Sequence, residues 1–118
     1  MASWADVVAI GTALPEVEES TWFRTPALKV RGKSFCRMKE DGETLVVRVV
    51  DLEDKEALLR SEPETFFTTP HYDGYAYVLV RLALISKRPL GELLEDAWAC
   101  MAPKKLLQDA GSRQRPST

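Results

Sequence analysis

Two turn signals inside residues 21–49, Gly32 and Asp41-Gly42, constrain the fold more than any other feature of the chain. They separate runs in which apolar and polar residues alternate, so the chain doubles back twice, and an antiparallel ribbon satisfies its backbone. Asp-Gly is a strong hairpin signal because both central residues of the favoured turn need positive φ. A two-residue turn there sets Met38 opposite Leu45 and Cys36 opposite Val47. Cys36, Met38, Leu45, Val47 and Val49 then share one apolar face. At Gly32 a three-residue turn pairs Val30 with Ser34 and adds Leu28 to that face, whereas a two-residue turn sends Leu28 and Val30 to the other side. The three-residue turn is preferred because it buries both. The second face then carries Lys29, Phe35, Arg37, Val46 and Arg48, three cations around an exposed ring.

Elements on either side supply a cover for the apolar face. Ser3 caps a first helix over about residues 4–12, with Asp6 in its first turn and Trp4, Val7, Val8 and Gly11 on one stripe. Residues 20–24 read as a strand, and Pro26 is confined to a strand start or an edge. Asp51 caps a second helix ending near Ser61, with Ala57, Leu58 and Leu59 as its core side. Phe66-Phe67 is a short strand, residues 68–74 a loop, and residues 75–82 a strand. In that strand Ala76, Val78, Val80 and Leu82 face the core, while Tyr77, Leu79 and Arg81 face away. Pro89 opens a last helix whose Leu90, Leu93, Leu94, Ala97, Trp98 and Met101 form a nearly ideal core stripe. The order α-β-β-β-β-α-β-β-α predicts an α+β fold: an antiparallel sheet with the N- and C-terminal helices on one face and the other open to water.

With 118 residues, 45% apolar and 29% charged, the chain has the length and composition of one soluble domain, expected over residues 1–106. Residues 107–118 read as a disordered tail, since the run from Gly111 onward has no apolar residue. No apolar run reaches a membrane span and no secretory leader is visible, so a cytoplasmic protein without membrane association is expected. Cys36 and Cys100 read as two reduced, packed thiols. The net charge of −2 conceals a division. Residues 24–39 hold six Lys or Arg and no acid, and residues 51–64 hold six acids against Lys55 and Arg60. An acidic whole argues against indiscriminate coating of nucleic acid, but attraction to phosphate is set by the local field.

The runs LPEVEESTWF (14–23), TPALKV (25–30), TPHYDGY (69–75), VLVRL (78–82), DAW (96–98) and APK (102–104) together resemble the MmcQ/YjbR family of small bacterial proteins. The likeness covers about residues 3–106. It implies a CyaY/frataxin-like fold and a double-wing DNA-binding role for the family. By position, Lys29, Arg48, His71 and Arg81 match its basic and polar pattern. Ala76 departs from it, standing where relatives often have proline.

Two functions follow as expectations. The first is DNA binding on the outer sheet face, through Lys29, Phe35, Arg37, Arg48, Tyr77 and Arg81, with cations on phosphates and rings on bases. The second is a protein-interaction or small-ligand module centred on the TPHYDGY loop, through His71, Tyr72 and Tyr75. Against these stands the plain reading that the cations only keep an open sheet face soluble. His71 is the sole histidine, so a His-based metal cluster is excluded, and the acids of residues 51–56 are explained by helix capping. Phosphate-loop, dinucleotide and nucleophile-elbow motifs are absent. No catalysis, cofactor or metal is expected, and a monomer is. Trp4, Trp22 and Trp98 read as core residues.

Overall fold

The computed structural model describes residues 2–107; of the tail expected over residues 107–118, Leu107 is half-buried against the core and residues 108–118 lie outside the described residues. The elements run α1 (Trp4–Gly11), β1 (Val17–Trp22), β2 (Thr25–Val30), β3 (Lys33–Met38), β4 (Thr44–Arg48), α2 (Leu52–Ser61), β5 (Phe66–Phe67), β6 (Tyr77–Arg81) and α3 (Lys87–Met101). This is the predicted order, with a single 3₁₀ turn, Leu82–Leu84, before α3. The strands form one antiparallel sheet in the order β1-β2-β3-β4-β6-β5. Ser3 and Asp6 close a reciprocal capping box on α1, and the Asp51 carboxylate accepts from the Asp54 amide at the start of α2.

Helices α1 and α3 pack on one face, over a core containing Val7, Leu28, Val30, Cys36, Leu45, Val47, Val78, Val80, Leu90 and Leu94. Gly11 lets α1 sit on β2: a Cβ there would meet Cδ1 of Leu28. The α3 stripe is buried as predicted from Leu90 to Trp98, with Met101 half-buried, and the Trp98 indole donates to the Pro15 carbonyl at 3.0 Å. In α2 the core side differs. Lys55 is buried alongside the half-buried Leu58 and Leu59, and Ala57 is exposed.

The β3–β4 register is the predicted one, with Cys36 opposite Val47 and Met38 opposite Leu45. The two-residue turn is not: the strands are last joined between Lys39 and Thr44, and of Asp41-Gly42 only Gly42 has a positive φ, 70°. Asp41 fixes this turn by accepting from the amides of Glu43 and Thr44, both at 2.9 Å, and from the Thr44 hydroxyl at 2.8 Å. The β2–β3 connection corrects the expectation. Val30 pairs with Lys33, leaving a two-residue turn of Arg31 (φ 50°) and Gly32 (φ 82°). The register then shifts between Leu28 and Lys29, because Lys29 opposes Ser34 while Leu28 opposes Cys36. Phe35 is the extra residue of a β-bulge. That bulge keeps Leu28 and Val30 in the core and turns Phe35 inward beside them, so Phe35 is fully buried and not on the outer face.

The outer face is not open either. One register row crosses all six strands as Ser20, Ala27, Arg37, Val46, Leu79 and Phe67. Its centre is covered. Tyr72, from the loop before β6, packs on Val46 and Leu79, with Phe67 and Tyr77 at the sides. Burying each such side chain is worth about 1.5–3 kcal/mol, which is reason enough for an otherwise polar loop to fold down.

Candidate functional site

The loop of residues 68–76 is held by two buried cations, one tying it to β3 and the other to α2, at either end of Tyr72. From below, Arg37 on β3 donates from Nη2 to the Tyr72 hydroxyl at 2.7 Å. From the side, Lys55 on α2 donates from Nζ to the carbonyls of Tyr72 at 2.7 Å and Tyr75 at 3.0 Å. Desolvation pulls the Lys55 ammonium below its ordinary pKa, and the charge of Asp73 partly opposes this. Hydrogen bonds inside the loop, from the amides of Tyr72 and Asp73 to the Thr69 carbonyl, close its first turn.

A second element reaches the same place. Trp22 pairs with Thr25, so β1 and β2 are joined by the two-residue turn Phe23-Arg24, with φ 53° and 65°. Both residues adopt the left-handed region, where side chains other than Asn, Asp or Gly are strained. The turn presents Phe23, 62% exposed, with its ring 4.9 Å from Trp22 and 5.1 Å from the Arg37 guanidinium carbon. Arg37 Nη1 also donates to the Thr25 hydroxyl and to the Met38 carbonyl, each at 3.2 Å. Arg37 therefore ties the β1–β2 turn to the loop.

Between these two elements lies a cleft of about 280 Å³ walled by six aromatic rings: Trp22, Phe23, His71, Tyr72, Tyr75 and Tyr77. The rings contact one another in tilted or edge-on pairs, with Trp22 6.3 Å and Tyr72 6.1 Å from Tyr77, and His71 edge-on to Tyr72 at 4.8 Å. The guanidinium carbon of Arg48 lies over the Tyr77 ring, 5.8 Å from its centroid. A shallower groove lined by Arg48, Val50, Asp51 and Glu53 shares Tyr75 and Tyr77 with the cleft and continues away from it.

The residues predicted for the two functions are thus partly merged. His71, Tyr72, Tyr75 and Tyr77 line one cleft, Arg48 flanks it, and Arg37 lies behind it, only 5% exposed instead of free on the surface. Lys29 is half-buried on β2, and neither it nor Arg48 makes an ion pair among the described residues. Arg81 stands apart, stacked at 4.1 Å on Phe67 and donating to the Glu64 carbonyl at 2.8 Å. Phe35 is not in the site. Of the other cations of residues 24–39, Arg31 is engaged by Glu16 in a two-point ion pair. The sequence reading missed Trp22 as a wall of the cleft, Phe23 and Lys55. A helical spacing of 0, 3 and 4 for Lys55, Leu58 and Leu59 carries the signal for the last of these.

A model of the family described as YjbR matches residues 12–100. The chain belongs to the YjbR family. Uncharacterized proteins of Mycobacterium tuberculosis and Mycobacterium bovis are each 41% identical to it over 123 aligned residues, covering 92% of this chain and 95% of theirs. The crystal structure of a Deinococcus radiodurans protein with a DUF419 domain superposes with a TM-score of 0.73, at 24% identity, covering 94% of this chain and 89% of that one. This likeness shows the α+β fold of the YjbR chain. No helix among its described residues is long and apolar enough to cross a membrane.

Proposed function

We propose that this YjbR protein is a non-catalytic binding module for single-stranded nucleic acid, taking a base into the aromatic cleft of the outer sheet face. The observation that carries this reading is the convergence of six rings with guanidinium groups against two of them, Arg37 at Phe23 and Arg48 at Tyr77. Stacking of a base on such rings contributes about 1–3 kcal/mol and requires an unpaired base, because the faces of paired bases are already stacked. Duplex would have to be read by a protruding ribbon, and here the ribbon's centre is covered by Tyr72. Arg48, in the groove that continues from the cleft, and Lys29 on the same face supply the phosphate contacts.

Labelled single- and double-stranded DNA titrated at two salt concentrations provides the test. Single-strand affinity should exceed duplex affinity and fall with salt, with a log–log slope of about −1.4 for two neutralised phosphates. Changing Lys29 and Arg48 together to Glu should weaken binding with little change in melting temperature. Absence of binding at low salt, or a preference for duplex, overturns the proposal.

A further inference from the structure

Among the described residues, the one buried side-chain nitrogen or oxygen without a hydrogen-bond partner is Nε of Arg37. Unpaired buried donors are uncommon and call for an explanation. The charge around this one is also unbalanced. Arg37 and Lys55 are both buried cations, 5% and 4% exposed, on either side of Tyr72. Within ion-pair distance of Arg37 is the exposed Glu40, at 3.7 Å, and Lys55 has no ion pair among the described residues. A buried cation is normally matched by a buried anion. Among the described residues the match is only partial: Glu40 is exposed, and Asp73 acts on Lys55 without forming an ion pair.

We propose that the cleft is built for a flat ring carrying a phosphate monoester, with the phosphate on Arg37. The ligand is a free nucleoside monophosphate or the phosphorylated end of a strand. This rests on the reading of the cleft as a base-binding site and says which nucleotide enters it. Two observations fix the chemistry. A volume of about 280 Å³ suits one nucleotide at a time and not a stretch of strand, and of these a free or terminal unit is the kind that carries a phosphate monoester. The group behind the rings is a guanidinium whose Nη1 and Nη2 already donate to Thr25, Met38 and Tyr72, which leaves Nε–H as the donor for one phosphate oxygen. Phe23 lies over that guanidinium from a strained turn and is 62% exposed, so its side chain is the one that swings aside for the phosphate to reach Arg37. The base then stacks among Trp22, Tyr75 and Tyr77, while the strand leaves over Tyr75 toward Arg48 along the shared groove.

The experiment compares thymidine with thymidine 5′-monophosphate, and six-nucleotide oligothymidylates ending in 5′-phosphate, 3′-phosphate or hydroxyl, by quenching of intrinsic fluorescence. A terminal phosphate should tighten binding about tenfold, the worth of one charge-assisted hydrogen bond. Arg37→Gln, which also loses the bond to the Tyr72 hydroxyl, should lower affinity for every oligonucleotide and bring the phosphate-ended and hydroxyl-ended ones to a common value. Should that variant not fold, the wild-type protein suffices: the Arg37 Nε–H resonance shifts on adding the monophosphate and stays put on adding thymidine. Equal affinity with and without phosphate overturns this inference while leaving strand binding intact. Binding of the monophosphate alone identifies the free nucleotide as the source and overturns the strand reading instead. Failure of every probe to bind overturns both.

Discussion

Replacing Lys55 by Met tests how the loop that builds the cleft is held. The substitution keeps an unbranched side chain of similar length and removes the ammonium that bridges the Tyr72 and Tyr75 carbonyls. Each charge-assisted hydrogen bond is worth about 1.5–3 kcal/mol, and truncation leaves the Tyr72 carbonyl buried without its donor. Against that stands relief of the ammonium's desolvation, which the downward displacement of its pKa reveals. The balance is a loss of about 2–3 kcal/mol, or about 10 °C or more in melting temperature for a domain of this size. Thermal unfolding by circular dichroism reads the global loss. Hydrogen exchange reads the local one, since the Tyr72 and Asp73 amides bonded to the Thr69 carbonyl should lose protection first. Oligonucleotide affinity should fall in parallel, because Tyr72 and Tyr75 are walls of the cleft. A melting temperature within about 2 °C of wild type would refute the reasoning, by showing that the ammonium gains no more from the carbonyls than it loses by leaving water.

Two further outcomes follow from the same structure. Arg24→Gly should raise stability by about 0.5–1 kcal/mol, because glycine relieves the left-handed strain at φ 65° by more than it adds in unfolded-chain entropy; a fall in the denaturant midpoint contradicts this. Burial pushes the Cys36 thiol up to about 12, so the unfolded chain ionises first. The stability this represents is complete below about pH 8.5 and is lost as pH climbs toward 12, up to about 4 kcal/mol. Cys36→Ala should flatten the alkaline limb of a urea-denaturation series measured across pH, and an unchanged limb counts against the assignment.

The sequence made some features plain and concealed others, for physical reasons. Periodicity exposes what depends on one face at a time, such as the α3 stripe from Leu90 to Trp98, or the Ser3 and Asp51 caps. The β3–β4 register was legible because apolar residues alternate symmetrically about Asp41-Gly42, and the longer turn that forms keeps the same pairing. The bulge at Phe35 was not. One extra residue inverts the side of everything beyond it, and strict alternation carries no mark of where it falls. Phe23-Arg24 hid for a related reason: neither residue favours positive φ, so the turn reads as continuing strand. This turn places Phe23 against Arg37. Tyr72 and His71 were recognisable as candidate ligand residues in a turn-rich loop, yet nothing local says that this loop folds back over Val46 and Leu79. That contact is a tertiary event, and it converts an open basic face into a closed aromatic cleft.

Fluorescence titration of a short single-stranded oligothymidylate into the wild-type protein and into a Phe23→Ala, Tyr75→Ala double variant addresses the central claim most directly. Both side chains are 62% exposed, so the fold should lose little stability, while two stacking surfaces disappear and affinity should fall at least tenfold. Equal affinity of the two proteins would mean that strands, if bound, are held somewhere other than the six-ring cleft.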